Sequence, residues 1–147
     1  MSKGAQYDLL NRQLAALLDG ESDLIAKMAN VSAVLHESFG FWWTGFYRVA
    51  GNELILGPFQ GPVACMHIPF GKGVCGTAWA RGETVVVPDV EAFPGHIACS
   101  SASRSEIVVP VFGSGGSVTA VLDIDSDRLA AFDEEDKVWL EKIVRLL

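Results

Sequence analysis

The segment that does most to specify the architecture is residues 106–125, which reads EIVVPVFGSGGSVTAVLDID. Two apolar runs flank a glycine-rich tetrapeptide at residues 113–116, a pattern that predicts a β-hairpin. Acidic side chains occupy both outer ends of the hairpin, with Glu106 on the first strand and Asp123 and Asp125 on the second. Because residues two apart on a strand point to the same side, Asp123 and Asp125 should share one face of the sheet.

The remaining elements follow from the spacing of apolar residues on both sides of this hairpin. Strands are predicted at Phe41–Val49, Glu53–Phe59, Met66–Pro69 and Thr84–Pro88. Helices are predicted at Tyr7–Leu18, Ser22–Ser38, Gly73–Arg81 and Phe132–Leu147. The chain should therefore fold as an α+β protein, in which a central sheet is flanked by helices and the first two helices cover one of its faces.

Length and composition limit the kinds of function that the chain can have. Its 147 residues match one domain, residues 1–147, with a full hydrophobic core. Half of the residues are apolar, yet no run reaches the roughly 18 apolar residues of a membrane span, so no membrane partner is expected. A net charge of −7 argues against nucleic acid as a partner, since phosphates are bound mainly by clustered basic residues. The first residues lack a signal-peptide pattern, which favours the cytoplasm.

Three cysteines, Cys65, Cys75 and Cys99, lie in the central part of the chain. A reducing compartment makes a structural disulfide framework unnecessary, so these thiols should be either reactive or packed as small apolar residues. Together with His67 they could form a zinc site, but they lack the closely spaced cysteine pairs of structural zinc sites. No metal is therefore predicted. The chemistry to explain is a thiol near three carboxylates.

Six motifs, in order along the chain, resemble those of one family. They are Phe41-Trp42-Trp43-Thr44-Gly45-Phe46-Tyr47, Gly57-Pro58-Phe59-Gln60-Gly61, Ile68-Pro69-Phe70-Gly71-Lys72-Gly73-Val74-Cys75-Gly76, His96-Ile97-Ala98-Cys99, Ser105-Glu106-Ile107-Val108-Val109-Pro110 and Val121-Leu122-Asp123-Ile124-Asp125-Ser126. With all three cysteines in place, the chain resembles the free methionine-(R)-sulfoxide reductases. That resemblance implies a single GAF domain with a six-stranded antiparallel sheet between helices. It also implies reduction of the free amino acid's R-sulfoxide, with thioredoxin as the reductant and no cofactor, and members of the family are often dimeric.

The resemblance also assigns roles to the cysteines. It implies that Cys99 attacks the sulfoxide sulfur and that Cys65 usually resolves the resulting sulfenic acid as a disulfide. Cys75 remains a second candidate for the resolving thiol, because it falls at the start of a predicted helix, where the helix dipole favours a thiolate. Sequence spacing alone does not choose between them, since a disulfide requires two Cα atoms within about 7 Å.

The carboxylates and two aromatic residues account for substrate recognition in this interpretation. Glu106, Asp123 and Asp125 match the family's pocket, where anions would bind the ammonium group that peptide-bound methionine lacks. Mutual repulsion should raise at least one of their pKa values and so provide a proton donor for the sulfoxide oxygen. Trp43 and Tyr47 should lie on one strand face and box the methyl and sulfur. The alternative function is a GAF module that senses a cyclic nucleotide or a similar small effector.

Overall fold

The computed structural model describes residues 1–97, 99 and 102–147, so Ala98 of the fourth motif lies outside the described residues. Four α-helices occur in them, α1 at Lys3–Leu18, α2 at Leu24–Phe39, α3 at Gly73–Arg81 and α4 at Glu134–Val144, together with a short 3-10 helix at Val90–Ala92. The strands are β1 at Trp43–Ala50, β2 at Glu53–Gln60, β3 at His67–Pro69, β4 at Val85–Val87, β5 at Ser105–Phe112 and β6 at Val118–Ser126. No helix in this part of the chain is long and apolar enough to cross a membrane.

The six strands form one sheet in the order β3-β2-β1-β6-β5-β4, and all neighbouring strands are antiparallel. The predicted hairpin is confirmed as β5 and β6. In its register Glu106 is paired with Asp125, and Val108 is paired with Asp123. Strand β1 continues the sheet on the other side of β6, where Trp43 is paired with Asp125. The acidic strand ends therefore lie at one end of the central three strands.

Two hydrophobic clusters lie on opposite faces of this sheet. The larger cluster packs α1, α2 and α4 against alternate strand residues such as Phe46, Leu122 and Ile124, which confirms that the first two helices cover one face. The smaller cluster contains Trp43, Tyr47 and residues of α3. Because side chains alternate along each strand, the acids of β5 and β6 point to this second face, which α3 and connecting segments cover in the described part of the chain.

The helix ends differ from the predicted bounds where capping side chains fix them. Helix α1 begins earlier than predicted, because Ser2 accepts a hydrogen bond from the backbone amide of Ala5. Helix α2 begins later, because Asp23 accepts one from the amide of Ala26. Each cap satisfies an amide that has no partner within its own helix.

The closing helix α4 is shorter than the predicted Phe132–Leu147. It begins after Asp133, whose carboxylate accepts hydrogen bonds from the amides of Glu135 and Asp136. The side chain of Asp136 in turn accepts one from the amide of Asp133. This reciprocal capping box fixes the first turn of the helix, so Phe132 precedes the helix and packs into the larger cluster.

Candidate active site

A small cavity lies on the α3 face of the sheet, with a volume of about 40 Å³. Seven of the eight residues predicted for the site line it: Trp43, Tyr47, Cys75, Cys99, Glu106, Asp123 and Asp125. The eighth, Cys65, is joined to the cavity wall through its disulfide with Cys99. The fold therefore brings the whole predicted set together from four strands or helices and two connecting segments.

The disulfide joins two segments that are far apart in the chain. Cys65 follows β2 and Cys99 precedes β5, with a sequence separation of 34 and a Cα–Cα distance of 5.4 Å. Both residues are partly exposed. Cys75 keeps a free thiol and is buried. The sequence pattern alone left the partner of Cys99 open between Cys65 and Cys75. In this structure the disulfide joins Cys65 to Cys99, and solvent can reach it.

The two aromatic residues of β1 hold the segment that carries Cys65. The rings of Trp43 and Tyr47 share one face and stack with centroids 5.9 Å apart. Trp43 Nε1 donates a hydrogen bond to the carbonyl of Pro62 at 3.0 Å, and the hydroxyl of Tyr47 donates to the carbonyl of Cys65 at 2.8 Å. Gly61 has a backbone φ of +127°, and a Cβ added to this residue would lie only 2.9 Å from the side chain of Trp43. These contacts fix the wall of the cavity beside Cys65.

The three carboxyl groups are crowded and poorly paired. Glu106 and Asp123 are each 6% exposed, and Asp125 is partly exposed. Oδ1 of Asp123 and Oδ1 of Asp125 are buried and have no hydrogen-bond partner. Burial, followed by the charges of neighbouring acids, raises the pKa of Glu106 and of Asp125 well above the usual range. Burial also raises the pKa of Asp123. These shifts favour the protonated forms of the three carboxyl groups.

A buried acid on the other face of the sheet shows the usual arrangement. The carboxylate of Asp136 accepts hydrogen bonds from the hydroxyl of Tyr7 at 2.7 Å and from the ammonium of Lys3 at 2.8 Å. Among the described residues that line the cavity, in contrast, none is lysine or arginine. Two buried carboxyl oxygens of the cavity, Oδ1 of Asp123 and Oδ1 of Asp125, therefore lack the hydrogen-bond partners that buried polar groups normally have.

Cys75 lies in the first turn of α3, which begins at Gly73 with a φ of +62° and packs against Ile97. The prediction that the helix dipole lowers the pKa of this thiol is wrong. Burial raises the pKa of Cys75 well above its usual value, and the charges of Asp123 and Glu106 raise it further. At this depth, desolvation and three nearby acids outweigh the partial charge of a short helix.

His96 is a part of the cavity wall that is not among the eight predicted site residues. Its side chain is only 17% exposed. Its Nε2 lies 3.9 Å from Oε1 of Glu106. Burial lowers the pKa of His96, which favours the neutral ring. Ser103, whose Oγ is buried without a hydrogen-bond partner, also lines the cavity. The signal for His96 was its place in the motif that contains Cys99.

Comparison with known proteins identifies the fold family. The family model described as a GAF domain matches residues 21–147. A curated relative from Escherichia coli (strain K12), named free methionine-R-sulfoxide reductase, is 46% identical over 148 residues, which cover 100% of this chain and 89% of that protein. The chain belongs to the free methionine-R-sulfoxide reductase family of GAF domains.

Solved structures of free methionine-R-sulfoxide reductases have the same fold. The Neisseria meningitidis enzyme, determined in complex with its substrate, is 53% identical and superposes with a TM-score of 0.96, covering 99% of this chain and 88% of that one. The reduced form of the Staphylococcus aureus enzyme is 51% identical, with a TM-score of 0.92 over 95% of this chain and 91% of that one. The resemblance read from the six motifs and the predicted fold class are both confirmed.

Proposed function

We propose that this protein reduces free L-methionine-(R)-sulfoxide to L-methionine with the thiols of Cys99 and Cys65. The observation that carries the proposal is the position of Cys99, which lines the same small cavity as three buried or half-buried acids and is bonded to a second, partly exposed cysteine. The membership of the family supports the same reaction, because the related proteins carry its name.

The proposed chemistry uses Cys99 as the nucleophile. Its thiolate attacks the sulfoxide sulfur while the oxygen takes up one proton. The hydroxyl then passes from the substrate sulfur to the sulfur of Cys99, so the S–O bond of the substrate breaks, methionine is released and Cys99 is left as a sulfenic acid. The thiol of Cys65 then attacks the sulfenic sulfur, a disulfide forms, and the oxygen leaves as water. Two thiols are oxidised by two electrons in total while one sulfoxide is reduced. The Cα–Cα distance of 5.4 Å between these cysteines supports Cys65 rather than buried Cys75 as the resolving residue.

The acids supply both recognition and a proton. An ammonium group bound among Glu106, Asp123 and Asp125 would provide the positive charge that these residues lack in the protein itself. The raised pKa values of Glu106 and Asp125 make these two residues the proposed donors to the sulfoxide oxygen, because a general acid must be protonated at the working pH. In this arrangement the ring of Trp43 would contact the methyl and sulfur of the substrate.

Turnover requires a reductant for the disulfide, and we propose thioredoxin in the cytoplasm for this role. The partial exposure of both cysteines supports attack by an external thiolate, since disulfide exchange depends on access to a sulfur atom. Attack on Cys65 would leave Cys99 as the free thiol that begins the next cycle. The homodimer implied by the resemblance stays a prediction.

Incubating the protein with dithiothreitol and each epimer of free methionine sulfoxide tests the proposed reaction. Methionine measured by chromatography should accumulate catalytically from the R epimer, whereas the S epimer should stay unchanged, because a chiral pocket aims only one sulfoxide oxygen at the acids. If the folded protein forms no methionine from the R epimer, the proposal is wrong. Binding of a cyclic nucleotide by that same protein would then favour the sensor function.

Replacement of Cys65 separates the first chemical step from the second. Cys65→Ser should release about one methionine per protein in a single turnover, because the attacking thiol is intact. It should then stall with thioredoxin, which acts on a disulfide, whereas a small thiol should restore turnover by reducing the sulfenic acid directly. Quench-flow measurement of methionine checks both stages. If Cys75→Ser shows this behaviour instead, the resolving role belongs to Cys75.

A further inference from the structure

Three potential metal ligands of different chemical types meet in the cavity. The thiol sulfur of Cys75 and a carboxylate oxygen from each of Glu106 and Asp123 all lie within 4.8 Å of one another, and all three residues are buried. Cys75 comes from α3, whereas the acids come from β5 and β6. Packing of the helix on the sheet, rather than any sequence motif, therefore creates this group.

A second observation is that one of these three side chains has a buried oxygen without a hydrogen-bond partner. Asp123 is 94% buried, and its Oδ1 has no hydrogen-bond partner although the residue lines the cavity. Oδ1 of the neighbouring Asp125 is also buried and also has no hydrogen-bond partner. An unpaired buried oxygen is costly in a folded protein. Both atoms therefore favour a bound cation.

We propose that Cys75, Glu106 and Asp123 form a binding site for one thiophilic divalent cation, Zn²⁺ or Cd²⁺, which excludes the substrate. The cation would take the carboxylates that bind the substrate ammonium, so the exclusion of substrate rests on the proposed function, whereas the binding of the cation does not. The metal acts here as an inhibitor and not as a cofactor of the reaction.

The geometry needs only small shifts to hold such an ion. Zinc lies about 2.3 Å from thiolate sulfur and about 2.1 Å from carboxylate oxygen, which places two ligands of a tetrahedral site roughly 3.6 Å apart. The present separations of at most 4.8 Å are within about 1.2 Å of this value. The cavity of about 40 Å³ also holds a metal-bound water, which needs about 10–15 Å³.

The ligand set predicts which cations bind. A thiolate prefers zinc and softer ions, whereas Mg²⁺ and Ca²⁺ require several oxygen ligands. The set differs from a zinc site made of the three cysteines and His67. In the structure Cys65 and Cys99 are joined to each other, and His67 lies 3.1 Å from Glu53 at the surface. Only Cys75 of those residues takes part in the proposed site.

The test uses the oxidised protein without added thiol, in which Cys75 is the one remaining thiol of the three cysteines. Titration with Cd²⁺ should produce a thiolate-to-metal charge-transfer band with one ion per chain and release of a proton, because the bound thiol is deprotonated. Cys75→Ser should abolish the band. Asp123→Asn should weaken the apparent affinity at least tenfold, since even indirect partners of a metal are worth about 10–100-fold.

Glu53→Gln is the matched control, because Glu53 is an acid beside a histidine at the surface and should leave the titration unchanged. Excess Ca²⁺ should not displace Cd²⁺. Absence of the band from wild-type protein, its survival in Cys75→Ser, or equal displacement by Ca²⁺ would each overturn the site. Circular dichroism of every variant shows whether the protein is folded; if Cys75→Ser does not fold, Cys75→Ala replaces it.

Exclusion of substrate is measured separately in pre-reduced, desalted enzyme during a single turnover. Saturating Zn²⁺ should slow methionine formation at least tenfold, and this inhibition should weaken when the concentration of methionine-(R)-sulfoxide is raised or Asp123 is replaced by Asn. If neither a higher substrate concentration nor Asp123→Asn weakens the inhibition, the proposed exclusion of substrate by the metal is wrong. If no methionine forms without metal, the proposed function fails, whereas the cadmium titration still decides whether the metal site exists.

Discussion

The Cys99→Ser enzyme is expected to retain less than about 1% of wild-type methionine formation, because a serine hydroxyl cannot supply a nucleophilic anion at neutral pH. The substitution removes the disulfide with Cys65 but changes the size of the side chain little. The loss should therefore appear in the first turnover as well as in the steady state. Measuring methionine released per enzyme in a single turnover checks this expectation.

Cys75→Ser is the matched control for Cys99→Ser, since it also replaces one cysteine by serine beside the same cavity. It should preserve the Cys65–Cys99 disulfide, which mass spectrometry of the oxidised protein detects. A Cys99→Ser protein that keeps more than about 1% of the activity would remove Cys99 from the role of nucleophile. If folded Cys75→Ser forms no methionine in a single turnover, the role of nucleophile belongs to Cys75.

Acetylation of the substrate's amino group is expected to lower kcat/KM by a factor on the order of 10⁴, because it removes the cation that the three acids are proposed to bind. The buried Oδ1 atoms of Asp123 and Asp125 then remain without a hydrogen-bond partner. Steady-state kinetics with N-acetylmethionine-(R)-sulfoxide and with the free compound provide the comparison. Equal rates for the two substrates would contradict binding of the ammonium by carboxylates.

Replacing one of these acids should weaken the preference for the free amino acid. Asp123→Asn should lower activity on the free substrate and narrow its advantage over the acetylated one, and Asp125→Asn should do the same. Asp127→Asn is the matched control, because Asp127 follows the same strand but is exposed to solvent. It should leave both kcat/KM values unchanged. A preference that is the same in all three variants would show that selectivity comes from elsewhere.

Patterns local in the chain could be predicted from the sequence. The two-residue spacing of Asp123 and Asp125 correctly placed both on one face, since alternation along a strand depends only on local geometry. The same reasoning placed Trp43 and Tyr47 together, and their stacked rings confirm it. The hairpin that carries Glu106 was also correctly located, because its turn is rich in glycine and its strands are apolar.

Features that depend on tertiary packing could not be predicted in this way. The approach of Cys65 and Cys99 depends on two connecting segments, so the residues alone left the pairing open and only the resemblance indicated it. The pKa of Cys75 was wrongly predicted because a helix start is visible in the sequence whereas burial beside Asp123 is not. The burial of His96 beside Glu106 is not visible in the sequence for the same reason.

The crowding of acids in the cavity also makes the stability of the fold depend on pH. A carboxyl with a higher pKa in the folded chain than in the unfolded chain favours folding in its protonated form, and this contribution is lost as pH rises through the raised pKa. Glu106, Asp123 and Asp125 all have raised pKa values. These three residues therefore lower the free energy of unfolding as the solution becomes less acidic. The packed strands and helices on the opposite face must supply the stability that the acids remove.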